Sequence, residues 1–236
     1  MKKLLQKKII KLANIINNRL NQNWKELTRN EFRFFDIYFS QYGEDIFINN
    51  KLRNICNGTY CDVGAFDPIW FSNTHLLFKR GWTGLNLDLD QDKIKKFKEM
   101  RPKDISIVSG VGNCNEKAWA LEYSLPVLNR ISFYPEHDFL AANGEKPLGK
   151  HEIQIRTLDT VLEQHIKGRN LNFLNIDCEG YEEKILNGIT LKKWKPNLIA
   201  IEYLDDEKLM ILKRQMLKND YQLCGQVGIT AFFEPN

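Results

Sequence analysis

Gly58-Thr59-Tyr60-Cys61-Asp62-Val63-Gly64 has the pattern of a short β-strand ending in a turn, and it indicates the start of a βαβ unit. Gly64 lets the backbone turn sharply and approach a ligand closely. Asp88 follows Asp62 by 26 residues, about where a βαβ unit places an acid on ribose hydroxyls. The later glycines of G-x-G-x-x-G are missing, because Phe66 and Asp67 follow Ala65. The stretch therefore predicts a site for an adenosine ligand that lacks a pyrophosphate.

Strands and helices alternate on both sides of this stretch, which indicates a parallel sheet covered on both faces. The predicted strands are 58–64, 83–88, 105–109, 152–156, 171–176 and 197–203. The predicted helices are 72–80, with Ser72 or Asn73 as its cap, 92–100, 158–165, 179–187 and 205–219. Residues 221–224 and 230–233 are expected to form a closing antiparallel pair. Scattered prolines and glycines predict an irregular insertion with some β structure at 112–150.

The composition is that of an ordinary folded protein. The chain has 236 residues, of which 43% are hydrophobic and 27% charged, and a net charge of +4. These values exclude disordered, collagen-like and coiled-coil classes. No run approaches the roughly 18 apolar residues of a membrane-spanning helix. Five cysteines without a C-x-x-C pair suggest neither a disulfide framework nor a zinc cluster, and reduced thiols point to the cytoplasm.

The basic charge is concentrated in an N-terminal extension, residues 1–38. Residues 1–40 hold nine basic and three acidic side chains and carry +6, so the other 196 residues carry −2. A nucleic-acid enzyme more often has its basic patch on the core, so no nucleic-acid partner is expected. Apolar residues recur every three to four positions from Leu5 to Leu20, which predicts an amphipathic helix. This helix is expected to pack on its own domain or on a second subunit, and the alternative is peripheral contact with an anionic membrane.

Four predicted strands end in carboxylates, namely Asp62, Asp88, Asp177 and Glu202. Ligands of open α/β sheets bind beyond the carboxyl ends of the strands. Because four clustered acids repel one another, a cation or hydrogen-bond donors must offset the repulsion. The cationic sulfonium of S-adenosylmethionine suits such an acidic edge.

Several motifs, in the right order, resemble those of the FkbM-type methyltransferases over about residues 38–203. They are Ser40 to Asp45, Cys61 to Pro68, Ser72-Asn73-Thr74, Gly81 to Asp88, Arg101-Pro102, Thr157-Leu158-Asp159, Phe173 to Glu182, and Lys195-Pro196 to Ile201-Glu202. The resemblance implies a class I methyltransferase fold, a Rossmann-like seven-stranded sheet whose last strand is antiparallel. It also implies an S-adenosylmethionine-dependent O-methyltransferase. The chain departs from the family at Asp88, where Glu is usual, and both residues can accept bonds from two ribose hydroxyls.

The resemblance also assigns cofactor-binding residues. Asp62, Gly64 and Ala65 would line the methionine part, and Asp88 would hold the ribose. Val111 and Gly112 would lie near the adenine. The amino-acid end would be bound by four polar side chains, Gln41, Ser72, Asn73 and Thr74. For Ser72 the alternative is a purely structural role as a helix N-cap.

Two mechanisms are open for activating the acceptor hydroxyl. By the same resemblance, Asp177 and Glu179 would lie where the acceptor meets the methyl group. By analogy with related sugar and catechol enzymes, Asp177 and Glu202, with Glu179, would bind Mg²⁺ or Mn²⁺ through hard oxygen ligands. Otherwise a side-chain base is needed, and His137 and His151 are the candidates, in or beside the insertion.

The sequence therefore predicts a cytoplasmic enzyme that consists of a methyltransferase domain, residues 39–236, and the N-terminal extension. Its expected reaction is O-methylation of a sugar or nucleotide-linked sugar in surface polysaccharide biosynthesis, by family analogy. One alternative is a nicotinamide-dependent oxidoreductase, against which the missing glycines argue. The other is a non-catalytic adenosine-fold scaffold held to a membrane or partner. A homo-oligomer formed through the N-terminal helix is also expected.

Overall fold

The computed structural model of the protein describes residues 37–124, 130–132, 146–178 and 180–236. Except for Ile37, they belong to one unit, Tyr38–Asn236. Most of the predicted N-terminal extension lies outside the described residues. Two of the candidate site residues, His137 and Glu179, also lie outside them. The predictions that concern these parts of the chain stay predictions.

The main sheet has seven strands in the order β10-β11-β9-β8-β1-β2-β3. Its strands are β1 (Thr59–Val63), β2 (Thr83–Asp88), β3 (Ile105–Val108), β8 (Phe173–Ile176), β9 (Leu198–Glu202), β10 (Tyr221–Val227) and β11 (Thr230–Pro235). Every pair from β3 to β9 is parallel, whereas β11 is antiparallel to both β9 and β10. This arrangement confirms the predicted class I methyltransferase fold and its antiparallel strand. The predicted closing pair is also confirmed.

Helices cover both faces of this sheet. They are α1 (Glu44–Lys51), α2 (His75–Lys79), α3 (Gln91–Met100), α4 (Leu158–His165), α5 (Glu182–Leu186), α6 (Leu191–Trp194) and α7 (Asp206–Lys218). On one face, Val63, Leu87 and Ile176 pack in a core with Leu162 of α4 and Leu212 of α7. On the other face, Tyr60, Phe173 and Phe232 pack with Ile48 of α1 and Leu77 of α2. Burial on both faces explains why apolar side chains dominate β8 and β9.

The insertion, predicted as irregular with some β structure, contains much of a second, regular sheet, in the order β4-β7-β5-β6. Its strands are β4 (Gly110–Gly112), β5 (Glu116–Glu122), β6 (Arg130–Ser132) and β7 (Gly149–Thr157). Ala118 and Ala120 of β5 and Ile153 and Ile155 of β7 form a small apolar core, against which Leu89 packs. Leu89 directly follows β2, so this core attaches the second sheet beside the carboxyl edge of the first.

Two predicted helix starts are wrong. Helix α2 begins at His75, with Thr74 in the N-cap position, so neither Ser72 nor Asn73 caps it. Ser72 instead binds a buried arginine, which removes it from capping. Helix α5 begins at Glu182 rather than 179. The chain turns at Gly180 with φ of +95°, a conformation that a helix cannot contain.

Candidate functional site

A cleft of about 1370 Å³ lies at the carboxyl ends of the central strands. This volume exceeds the roughly 300–1,000 Å³ of an ordinary ligand pocket. All four predicted strand-end acids, Asp62, Asp88, Asp177 and Glu202, line it. One wall comes from the main sheet and another from the second sheet. The sequence argument that these acids meet at one edge is therefore correct.

The turn after β1 brings three strand ends together at Gly64. The backbone N–H groups of Gly64 and Ala65 donate to Leu87 O at 2.9 and 3.0 Å, and Asp177 N donates to Val63 O at 3.0 Å. Gly64 has φ of +79°. A Cβ atom added to it would lie 1.7 Å from the backbone oxygen of Asp177. Glycine is thus required both by the conformation and by the close approach of the neighbouring strand.

The carboxylate of Asp62 is held by two neutral donors. Thr74 Oγ1 donates to Oδ2 at 2.7 Å, and Asn175 Nδ2 donates to Oδ1 at 2.9 Å. Asn73 Nδ2 in turn donates to Asn175 Oδ1 at 3.0 Å. Burial raises the pKa of Asp62, while the hydrogen bonds from Thr74 and Asn175 and the charge of Arg101 oppose the rise. The arrangement fixes a desolvated carboxyl group at the floor of the cleft.

Arg101 supports this floor from below and is only 1% exposed. Its guanidinium donates to Thr74 Oγ1 at 2.9 Å, to Ser72 Oγ at 3.0 Å and to the carbonyl oxygen of Pro68. These three acceptors belong to the segment between β1 and α2. A buried cation with several fixed acceptors holds that segment in one conformation. Arg101 thereby orients Thr74 toward Asp62.

Asp88 closes the other end of the acidic floor. Its Oδ2 accepts from Phe66 N at 3.0 Å and its Oδ1 from Asp90 N at 2.9 Å. Lys93 Nζ lies 3.7 Å from Oδ2. Burial raises the pKa of Asp88, while Lys93 and the two backbone donors oppose the rise. A carboxylate has about four acceptor positions, so hydroxyl donors can still be bound.

Glu182 holds the turn that follows β8. Its Oε1 accepts from Cys178 N at 3.0 Å and from Gly180 N at 3.1 Å. Asp177 precedes this turn and lines the cleft. Burial also raises the pKa of the neighbouring Cys178 thiol well above its usual range. That thiol is therefore a poor nucleophile, which leaves oxygen and imidazole groups for the chemistry of the cleft.

The second sheet supplies the opposite wall, which is partly polar. Its cleft-lining polar residues are Glu122, Tyr123, His151, Glu152 and Gln154. His151 Nδ1 lies 3.0 Å from Glu122 Oε1, and both side chains are about half exposed. Val111 of β4 lines the cleft at the junction of the two sheets.

The structure separates the predicted cofactor residues into two groups. Seven line the cleft, namely Gln41, Asp62, Gly64, Ala65, Asn73, Asp88 and Val111. Ser72 and Thr74 are buried and bind Arg101. Gly112 is buried in β4. Gly188 lies so close to it that a Cβ atom added to Gly188 would be 1.9 Å from the backbone oxygen of Gly112.

Four residues that organise the cleft were not assigned a role from the sequence. Asn175 was detectable as a polar residue within an otherwise apolar buried strand. Glu182 was detectable as an acid in the first turn of a predicted helix. Arg101 and Glu122 gave no such signal, because their partners are distant in sequence or belong to an unpredicted strand pair.

The structure describes only two of the three residues predicted to bind a metal ion. In the described ranges, no three His, Cys, Asp or Glu side chains are close enough to share a metal ion. Asp177 and Glu202 both line the cleft, and the third predicted ligand, Glu179, lies outside the described residues. A two-carboxylate site supplemented by Glu179 stays a prediction.

Comparison with known proteins gives a family and two distant structural likenesses. The chain resembles PH1948 of Pyrococcus horikoshii, put forward as an RNA methyltransferase, at 10% identity and a TM-score of 0.42 over 85% of this chain and 89% of that one. It resembles a TehB-like SAM-dependent methyltransferase from Corynebacterium glutamicum at 14% identity and a TM-score of 0.44, over 88% and 94%. At these TM-scores neither likeness bears on the function of this chain.

A search of curated proteins gave no match. The model of the methyltransferase FkbM domain, however, matches residues 62–223. The matched segment starts at Asp62, continues through Asp88, Asp177 and Glu202, and includes the whole second sheet. With the strand order and the acid-lined cleft described above, this match makes the chain a member of the FkbM methyltransferase family.

Proposed function

We propose that this protein transfers a methyl group from S-adenosylmethionine to a hydroxyl group of a sugar or a nucleotide-linked sugar, in the biosynthesis of a surface polysaccharide. The observation that carries the proposal is the single cleft that joins the acidic strand edge to the polar wall of the second sheet. One end suits a cationic nucleoside, and the other suits a molecule with many hydroxyl groups. The reaction needs both ligands side by side.

The acidic floor fits the cofactor that the family implies. When bound, S-adenosylmethionine supplies the methyl group from a positively charged sulfur, and the electron pair of the broken carbon–sulfur bond stays on sulfur. Asp88 would accept hydrogen bonds from the ribose hydroxyls. Gln41 and Asn73, both at the cleft, would bind the amino-acid end. Asp62 would contribute negative charge near the sulfonium, held in place by Thr74 and Asn175.

The polar wall would bind the acceptor and remove its proton. Glu122 and His151, on the face of the second sheet turned to the cleft, offer hydrogen-bonding groups of the kind that recognise sugar hydroxyls. His151 would act as the general base, since an alcohol is a poor nucleophile until its proton is taken. Asp177 would orient the hydroxyl at the junction of the two walls.

A metal-assisted route is the second candidate. Asp177, Glu202 and Glu179 would hold Mg²⁺ or Mn²⁺, whose charge would lower the pKa of the acceptor hydroxyl. The observation in its favour is that Asp177 and Glu202 stand at the ends of adjacent parallel strands and line the same cleft.

The charge of the lining favours an acceptor without phosphate groups. Among the described residues that line the cleft are eight carboxylate side chains and one lysine, Lys93. Lys93 already lies 3.7 Å from Asp88. An excess of carboxylates repels phosphates, unless a metal ion intervenes. A free or lipid-linked neutral sugar is accordingly favoured over a nucleotide-linked one, and nucleic acid is disfavoured.

Calorimetric titration with S-adenosylhomocysteine tests the cofactor assignment. Wild type is expected to bind, and Asp88→Ala is expected to lose binding, whereas Glu99→Ala on the exposed face of α3 should bind like wild type. Repeating the titration with Mg²⁺ and Mn²⁺ on wild type and Asp177→Ala separates the two mechanisms. Absence of binding by wild type would refute the enzyme assignment and favour the scaffold alternative.

An acceptor screen by mass spectrometry tests the substrate class. Methyl transfer is measured from S-adenosylmethionine to neutral monosaccharides, alkyl glycosides and nucleotide-linked sugars. We expect methylated neutral sugars, with little product from the nucleotide-linked compounds. Preferential methylation of nucleotide-linked sugars would overturn the charge argument, and methylation confined to non-sugar alcohols would overturn the sugar assignment.

A further inference from the structure

The His151–Glu122 pair lies on the face of the second sheet that is turned to the cleft. In the antiparallel ladder of β5 and β7, Ala120 is opposite His151 and Glu122 is opposite Gly149. Side chains two residues apart share a face of a strand. His151 and Glu122 therefore share the face of Ala120 and Ile153, whose side chains belong to the core that packs on Leu89. Leu89 directly follows Asp88.

Gly149 makes room for this pair. It is directly opposite Glu122, and a Cβ atom at Gly149 would lie 3.1 Å from Glu122 Oε2. The absent side chain allows the Glu122 carboxylate to extend along the strand and reach His151 Nδ1 at 3.0 Å. Ala120, opposite His151, is likewise small. The two small neighbours leave the diagonal contact as the preferred one on this face.

We infer that Glu122 is the positioning residue of a base, His151, in the methyl transfer proposed above, on which this inference rests. The Glu122 carboxylate accepts a hydrogen bond from Nδ1–H of the neutral imidazole, so the lone pair lies on Nε2. The acceptor hydroxyl gives its proton to Nε2 while its oxygen bonds to the methyl carbon and the carbon–sulfur electron pair stays on sulfur. The imidazolium, stabilised by Glu122, then releases the proton to water.

The same strand pair offers a control contact. Lys117 of β5 and Glu152 of β7 form an ion pair with 2.7 Å between Nζ and Oε1, and the Lys117 side chain is 71% exposed. Lys117→Ala removes an ion pair between β5 and β7 without altering the contact between Glu122 and His151. It therefore separates loss of a cross-strand ion pair from loss of the His151 partner.

Nitrogen NMR of the ¹⁵N-histidine-labelled full chain, at a pH where His151 is neutral, tests the assignment without an acceptor. His151→Gln identifies the His151 signals. Wild type is expected to show His151 protonated at Nδ1, and Glu122→Ala to shift the proton toward Nε2. Glu122→Gln should restore the wild-type pattern because its amide oxygen accepts the same bond, and Lys117→Ala should leave it unchanged. Protonation of wild-type His151 at Nε2, or an unchanged pattern in Glu122→Ala, would overturn the inference.

Kinetics with the best acceptor from the screen extend the test. His151→Gln is expected to lower kcat by about 10²–10⁴-fold, the usual contribution of a general base. Glu122→Ala should lower kcat with an unchanged KM for S-adenosylmethionine, and Glu122→Gln should recover part of the loss. If wild type binds no S-adenosylhomocysteine, the proposed function fails; if it binds but kcat is insensitive to His151→Gln, the inference alone fails.

Discussion

Gly64 cannot be replaced by a residue with a side chain without strain in the cleft. Gly64→Ala combines a left-handed backbone with a Cβ 1.7 Å from Asp177 O, whereas Gly168 has a similar φ of +81° and nothing within 4 Å of its Cβ. Gly168→Ala is expected to cost about 1–2 kcal/mol of unfolding free energy from conformation alone. Gly64→Ala should cost clearly more and weaken S-adenosylhomocysteine binding.

Urea unfolding and calorimetry of the two glycine variants check this comparison. Both variants include the cost of the left-handed backbone. The difference between their losses of unfolding free energy therefore measures the contact between the two strand ends. Equal losses of stability would mean that the ends of β1 and β8 can separate at little cost, contrary to the tight junction described here.

Asp88 gives a pH dependence with a defined sign. Burial raises its pKa above the ordinary value of 3.8, so the folded state binds the proton more tightly than the unfolded state does. Its contribution to stability is therefore complete below pH 3.8 and is lost as the pH rises through the folded-state pKa. Wild type should become less stable relative to Asp88→Asn as the pH rises from mildly acidic to neutral.

Urea unfolding of wild type and Asp88→Asn across that pH range, without ligand, measures the difference. A difference that grows in favour of wild type with rising pH would show that Lys93 and the backbone donors outweigh burial.

At the residue scale, the sequence identifies the acids but not what holds them. Strand-end carboxylates follow from local pattern, because apolar runs that stop at an acid are visible in one chain. Arg101 is different, since its acceptors lie 27 to 41 residues earlier. In the sequence it belongs to the Arg101-Pro102 motif at the end of a lysine-rich helix, with no assigned role, and only the packed structure shows that it is buried.

At the element scale, two helices with the same kind of cap can be compared. The Asp90 carboxylate caps α3, accepting from Asp92 N at 2.8 Å, and Asp205 caps α7, accepting from Lys208 N at 2.8 Å. Replacing either by Ala should cost about 0.5–2 kcal/mol of unfolding free energy. Only Asp90→Ala should also weaken S-adenosylhomocysteine binding, because loss of the cap loosens the turn from which the backbone N–H of residue 90 donates to Asp88.

Thermal or urea unfolding together with calorimetry separates the two effects. Asp205→Ala is the matched control, since its cap is removed without touching Asp88. Equal binding by both variants would show that the start of α3 does not hold the Asp88 carboxylate in place.

Elements defined by local periodicity were predicted well, whereas strand β5 of the second sheet was not. Strand 83–88 and helix 158–165 have their predicted bounds. The insertion was predicted as irregular because β5 and β7 are separated by proline- and glycine-containing sequence, so neither strand suggests its partner. Pairing between strands far apart in sequence leaves little trace in either strand alone.

At the scale of the whole molecule, charge is divided between the N-terminal extension and the rest of the chain. In the part of the chain that the structure describes, no helix is long and apolar enough to cross a membrane. If the predicted basic amphipathic helix binds a membrane surface, the full chain should co-sediment with anionic vesicles, and added salt should weaken the association.

Deletion of residues 1–30 provides the comparison, and neutral vesicles provide the control. Loss of sedimentation on deletion would support membrane contact. Unchanged partitioning would reject it and leave packing on the same domain or on a second subunit as the role of the extension. Sedimentation equilibrium of both forms would then distinguish these two.

The place of β11 in the main sheet has a consequence for biosynthesis. β11 lies between β9 and β10, yet the ribosome makes it after both. Until residues 230–235 emerge, β9 has an unpaired edge, and the position that Phe232 and Phe233 will fill is empty. A nascent chain stalled before residue 230 would present that edge to other chains, so stalled or nonsense-truncated products should aggregate and be cleared by proteases rather than accumulate as soluble fragments.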